Sequence, residues 1–299
     1  MITRAYNSER YIKEAVESTL NQNYGGWIEI VLCYDEGSTD NTLNILETYV
    51  PSKFVNRQIR LVKHPHTSRF RALVEYGFAN VTGDYVAFLD YDNLFPEDYF
   101  KKIVKHAVDN DCEFLFTKRR VIDENGMDRG MYESNVPKDL HSLRSMMLTN
   151  YVDTNIIFIR RDLLALLAAK LKSLTNDFYE DIIEDWLIGM LAVKHSNVEY
   201  FEGAEVKFRI HKSNTVVSVY RETSVGINLV SLESDYRTLS AFKYLEKGKL
   251  SASERFYFYI ALIERLTLIF MLKWMIGKRC FPIIHKAHVT DRLKELIFS

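Results

Sequence analysis

At 299 residues, with 47% hydrophobic and 13% aromatic side chains, the chain has material for one large domain, or one and a half, with a sizeable core. Its net charge of −1 gives no electrostatic reason to expect a nucleic-acid partner. Cys33, Cys112 and Cys280 are an odd, scattered set without a Cys-x-x-Cys pair, which argues against a disulfide framework or a zinc site and suits a reducing compartment.

The chain opens on a stub of strand at 1–3, followed too soon by Arg4, Asn7 and Glu9 for a secretory leader to be expected. A helix capped by Asn7 or Ser8 comes next, with Ile12, Ala15, Val16, Thr19 and Leu20 on one face. A buried strand at 28–33 ends in the polar turn 34–40. It leads to a helix with Leu43, Leu46, Tyr49 and Val50 on one side. A strand at 59–62, a helix at 68–80 and a strand at 85–89 follow. Strand and helix thus alternate four times in about ninety residues, which argues a doubly wound, mostly parallel sheet flanked by helices. Beyond Pro96 the alternation loosens. A helix at 99–108, strands at 113–117 and 155–159, a turn at 123–126, a helix at 161–171 and short strands at 198–201 and 205–210 are expected. The tail from about 225 is mostly helical. Its apolar stretch 256–276 contains Glu264, Arg265 and Lys273, which makes it a poor spanning helix. With Trp274, Lys278, Arg279 and Phe281 it suits a membrane surface, a dimer interface or plain packing on the domain.

The strand at 85–89 ends in two aspartates one residue apart, Asp90 and Asp92. Carboxyl ends of strands are where open α/β sheets bind ligands. Two carboxylates there repel each other, and a divalent cation relieves that repulsion and can bridge to a diphosphate. On the pair alone, capping of the next helix by Asp92 or Asn93 is the simpler account.

Three stretches together resemble the family 2 glycosyltransferases, which have the GT-A fold. They are Arg4-Ala-Tyr-Asn7 with the helix 11–18, Asp35-Glu-Gly-Ser-Thr-Asp40, and Gly83-Asp-Tyr-Val-Ala-Phe-Leu-Asp-Tyr-Asp92. A fourth, Glu184-Asp-Trp-Leu187 followed by Arg209-Ile-His211, extends the likeness to about residue 215. An earlier pair, Glu180-Asp181, fits the spacing less well. The resemblance implies a GT-A domain over 1–224, with a nucleotide-binding half at 1–96 and an acceptor-binding half at 97–224. A helical extension fills 225–299. It implies an inverting transfer from a nucleotide-diphosphate sugar, with a UDP-sugar favoured, to a glycan or lipid-linked acceptor. Its commonest setting is glycan synthesis at the cytoplasmic face of a membrane.

Site residues follow from the same resemblance. Asp185 is the base that takes the proton of the acceptor hydroxyl. Glu184 and Trp186 bind the acceptor, Trp186 by stacking on a sugar ring. Asp92 holds a divalent metal, Mn or Mg, with His211 as a further ligand. Asp90 meets the ribose and Asp35 the ring N–H of uracil. Ala5 and Tyr6 line the nucleotide, and Arg71, or its neighbour Arg69, lies near the diphosphate. The sequence departs from the family at Arg4, usually Pro, at Ala5, usually Thr, and at Glu75, where many members have Asn. Two other readings compete: a non-catalytic relative that binds nucleotide or glycan, and a sugar nucleotidyltransferase. The second calls for a glycine-rich opening loop, which Arg4–Asn7 lacks.

Overall fold

Strand β2 (Ile28–Asp35) is buried at every position, because β1 (Ile2–Ala5) and β3 (Arg57–His64) flank it, both parallel to it. A strand enclosed in this way reads as a continuous apolar run, as it does in the sequence. The computed structural model describes residues 1–50, 54–132, 139, 141–174, 182–212 and 226–277, with the backbone alone for 131–132, 226–231 and 271–277. The pair at 180–181 and the basic and aromatic residues beyond 277 lie outside the described residues.

Helix α1 (Ile12–Leu20) buries Ile12, Ala15, Val16 and Thr19, the face expected from their spacing. Helix α2 (Thr42–Glu47) follows β2. The helix expected at 68–80 is not uniform. A turn, α3 (Arg69–Arg71), is capped by Ser68 Oγ, widens into a π-helical segment at Ala72–Gly77 and tightens to 3-10 at Phe78–Asn80. π-Helical segments are rare and concentrate near functional sites.

Strand β4 (Tyr85–Ala87) stops short of the expected 89. Phe88 and Leu89 instead join β1, with Phe88 opposite Ile2 and Leu89 N–H donating to Ile2 O at 3.0 Å. This join fuses the parallel trio to a second group of strands. There β4 pairs antiparallel with β7 (Ile157–Arg160), and β7 antiparallel with β5 (Phe114–Ile122). Strand β6 (Asp128–Tyr132), hidden from the sequence reading, continues the β7 edge of β5. Strand β8 (Val198–Arg209) runs parallel along the other edge. The two short strands expected at 198–201 and 205–210 are one strand, broken only by a register slip between Phe201 and Glu205. The order 3-2-1-4-7-5-8 is a parallel-rich α/β sheet that is mixed in its second half.

Helices α4 (Tyr99–Asp109), α5 (Leu143–Leu148), α6 (Arg161–Leu171) and α7 (Glu184–His195) cover the second half. Helix α7 is buried from Trp186 to Ala192, because α5, α6 and the tail helix α8 (Gly226–Leu245) all pack on it. The last helix, α9 (Ala252–Gly277), packs on α8 and α5. Polar contacts fix this brace. Ile183 N–H donates to Thr238 Oγ1 at 3.0 Å, and Arg265 donates to Leu148 O at 2.6 Å. Lys194 pairs with Glu254 at 2.7 Å. Glu246, fully buried, meets Lys170 and His195, each at 2.8 Å. Phe256, Ile263 and Phe270 face outward from α9. Among the described residues, no helix is long and apolar enough to cross a membrane.

Breaking a buried pair by removing one partner leaves an uncompensated charge. Lys170→Met is therefore expected to lower stability by about 2–3 kcal/mol in urea unfolding, while a loss under about 0.5 kcal/mol would mean the pair is effectively solvated.

Candidate active site

The carboxyl ends of β1, β2 and β4 lie side by side, and a polar cluster joins Arg4 of β1 to Asp90, just past β4, and to Glu184 of α7. At its centre is Arg4, whose side chain is only 10% exposed. Its Nη1 donates to Glu184 Oε1 at 2.6 Å and its Nη2 to Asp90 Oδ1 at 3.0 Å. Arg69 stands behind it, 3.4 Å from Asp90 and 3.9 Å from Glu184. Burial alone would raise the pKa of Asp90, but the two guanidinium groups outweigh it and hold the carboxyl at about 2. Glu184 is lowered by the same balance: burial raises it, and Arg4 and Arg69 prevail. Asn155 completes the support, accepting from Asp90 N–H at 2.6 Å and donating to its Oδ2 at 3.0 Å.

Asp185, next along α7, has the opposite fate. Its carboxylate is half-buried and takes a hydrogen bond from Asn150 at 2.9 Å. Burial first, then Asp153 and Glu184, push its pKa well above the usual carboxylate range. The helix N-terminus on which it sits does not offset this. Two adjacent carboxyls are thus driven apart, one held charged and one poised near neutral pH.

Asp92 and His211 form a second pair, Oδ2 to Nε2 at 2.9 Å, both buried. Arg209 makes this geometry. Its Nε donates to Asp92 O at 2.8 Å, its backbone N–H to Asn93 Oδ1 at 2.8 Å, and its Nη2 to Glu14 at 2.7 Å. The arginine of Arg-x-His therefore clamps the Asp92 loop to β8 and α1, and the histidine reaches the carboxylate. An oxygen and an imidazole nitrogen at this separation fit a shared ion, since cis ligands of an octahedral centre lie about 3 Å apart.

Asp35, at the end of β2, accepts from Gly37 N–H at 2.8 Å and contacts His66 Nδ1 at 3.1 Å. A Cβ on Gly37 would meet the His66 ring at 2.9 Å, so glycine lets that ring lie over the turn. Asp40, just before α2, accepts from Thr42 N–H at 3.0 Å. Tyr6, 46% exposed, sits beside His66 with ring centroids 5.0 Å apart. Asn7, at φ 47°, ties this loop to the Asp35 turn by accepting from Thr39 N–H at 2.8 Å.

Four expectations need correction. Trp186 is 1% exposed, its Nε1 donates to Met146 O and Arg265 lies over its ring, so it cannot stack on a sugar. Arg71 turns away to Glu75 at 2.9 Å, and Arg69 takes its place at the acidic cluster. Ala5 is closed into the core and presents no side chain to a ligand. Glu184 Oε1 is taken by Arg4, so this residue ties the halves together more than it meets an acceptor. Sequence reasoning missed the roles of Arg4, His66, Asn150, Asp153 and Asn155. Only Arg4 gave a signal, as a charged residue where the resemblance leads one to expect proline.

The family model described as Glycosyl transferase family 2 matches residues 1–167. EpsE of Bacillus subtilis (strain 168), provisionally named a glycosyltransferase, is 32% identical over 139 residues, covering 46% of this chain and 49% of EpsE. The chain thus spans about half the length of that curated relative. Among solved structures, Staphylococcus aureus TarS 1–349 in complex with UDP-GlcNAc aligns with a TM-score of 0.55 at 18% identity, over 90% of this chain and 80% of that one. The mannosyltransferase PcManGT of Pyrobaculum calidifontis, in complex with GDP-Man and Mn2+, aligns at 0.58 and 15% identity, over 93% and 74%. These two likenesses establish the fold.

A carboxyl whose folded pKa is raised favours folding when protonated, and opposes it once pH rises above its unfolded value of about 4. Asp185→Asn is accordingly expected to raise Tm at pH 8 and to leave it nearly unchanged at about pH 4. A lower Tm at pH 8 would show that the ionised carboxylate is stabilised by its surroundings.

Proposed function

The chain belongs to glycosyl transferase family 2, and on that footing we propose that it moves a sugar from a nucleotide-diphosphate sugar, UDP-linked by preference, to a hydroxyl of a glycan or lipid-linked acceptor, with inversion. The observation that carries this reading is the meeting of Asp90 and Glu184 on Arg4. It brings the donor-side loop and the helix bearing Asp185 to one place. Residues 1–96 form the donor half and 97–224 the acceptor half, with the tail bracing α7.

In the proposed step the acceptor oxygen forms a bond to the anomeric carbon. The bond from that carbon to the diphosphate breaks, the electron pair leaves with the diphosphate, and the hydroxyl proton passes to Asp185. A base with a pKa near the working pH is suited to this, and the surroundings of Asp185 supply the shift. Asp35 accepts the N–H of the base, with Tyr6 and His66 flanking it, and Asp90 is placed for the ribose. Asp92 and His211 would hold a Mn- or Mg-type ion, which would supply positive charge for the departing diphosphate. Arg4 and Arg69 keep Asp90 and Glu184 ionised and in position.

Two measurements test this. In thermal-shift screening against UDP, GDP, CDP and dTDP, UDP with Mn is expected to raise Tm by mass action. Asp92→Asn should remove the Mn-dependent part of that increase; an undiminished Mn effect in the variant would place the ion elsewhere. For transfer itself, kcat/KM should climb with pH by up to about tenfold per unit until Asp185 is ionised. A profile flat between about pH 5 and pH 8 would remove Asp185 from the role of base.

A further inference from the structure

Among the described residues, one group of three metal-type side chains lies outside this cleft: His106, Cys112 and Glu199, with donor atoms within 4.8 Å of one another. His106 is in the last turn of α4, Cys112 in the connection to β5, and Glu199 at the start of β8. β5 and β8 begin at the end of the sheet opposite Asp90, so the group is remote from the cleft.

The three are held for convergence. His106 Nε2 and Glu199 Oε2 are 2.9 Å apart. The imidazole stacks on Phe201 at 4.1 Å and 15°, and the Asn110 amide faces its other nitrogen at 3.4 Å. A ring fixed in this way presents Nε2 in one direction, as orienting partners do for metal-bound histidines. Cys112 is anchored through its backbone on both sides, N–H to Ala107 O at 2.9 Å and O from Tyr85 Oη at 3.2 Å. Asp111, at φ 50°, makes the tight turn that precedes it. The thiol is buried, whereas His106 and Glu199 are 27% and 38% exposed and leave a side open to solvent.

We propose that His106, Cys112 and Glu199 bind a thiophilic divalent cation of the zinc type, at a site separate from the Asp92–His211 pair. Nitrogen, sulfur and carboxylate oxygen are the three donor types of zinc centres, and the open side leaves room for water as a fourth ligand. Bond lengths of about 2.0–2.3 Å imply ligand-to-ligand spans of roughly 3.3–3.7 Å, so the widest pair, within 4.8 Å, must close by little more than about 1 Å, and the His106–Glu199 pair, at 2.9 Å, must open slightly. A sulfur donor favours a thiophilic cation over Mn and Mg. Such an ion fastens the end of α4 to the edge strand β8. The absence of a Cys-x-x-Cys pair hid the site from the sequence, since His106 and Glu199 are 93 residues apart.

The test is to titrate Co(II) into the chelator-treated, reduced full chain carrying Cys280→Ser, and to read thiolate-to-cobalt charge transfer in the near ultraviolet. One cobalt per chain with such a band, displaced by Zn(II), is expected. Cys112→Ser should abolish the band, His106→Gln should weaken binding more than about tenfold, and Asp92→Asn should leave the band intact. Zn(II) should also raise the Tm of the parent protein and leave that of Cys112→Ser unchanged. Absence of the band in the parent, or its persistence in Cys112→Ser, would overturn the proposal and reduce the group to a hydrogen-bonded cluster.

Discussion

One guanidinium, that of Arg4, holds the two halves of this protein in register. It sits among carboxylates from β4 and α7 that would otherwise repel each other across a poorly solvated gap. Arg69 adds a second positive charge, and together they neutralise Asp90 and Glu184. Asp185 lies beside this compensated pair, and burial first, then Asp153 and Glu184, raise its pKa. The contrast between Glu184 and Asp185 is a contrast of neighbours, not of position in the helix. Environments that push two carboxyls apart are a recognised route to one fixed charge and one proton acceptor in the same site.

A second arginine does comparable work on the backbone. Arg209 is buried and engages Asp92 O, Glu124 O and Glu14 while lying over the Tyr11 ring at 4.6 Å. It joins α1, the Asp92 loop, the β5–β6 turn and β8, which come from four separate parts of the chain. The tail helices do the same for α7 from the other side, through Thr238, Glu246, Glu254 and Arg265. Site precision here comes from long-range clamps laid over a sheet whose strands alone would leave the loops free.

This division explains what could be read in advance. β2 and the Tyr85–Leu89 run were legible because a buried parallel strand writes itself as consecutive apolar residues. The positions of Asp35, Asp90, Asp92 and Asp185 were legible because the strand and helix ends near them are. Arg4 was legible only as an oddity, since its partners lie 86 and 180 residues away. Arg69 and Arg71 could not be told apart because residues two apart in a helical turn diverge. Trp186 was misjudged for a related reason: on a helix covered by neighbours, the residue next to a half-buried carboxylate points into the core. β6 escaped because it is five residues just beyond a turn at Gly126, with no apolar alternation to mark it.

The burial of Trp186 has an optical consequence. Of the two tryptophans whose side chains are described, Trp27 is 59% exposed and emits as a solvated indole, whereas Trp186 is enclosed. Its N–H is bound to Met146 O, and the Arg265 guanidinium lies 5.7 Å from its ring. Of these two, the residue that follows Asp185 emits at the shorter wavelength. A shift in how the tail sits on α7 changes the field at that ring before it changes the fold, so the protein carries its own fluorophore at the joint between its C-terminal brace and its acidic site.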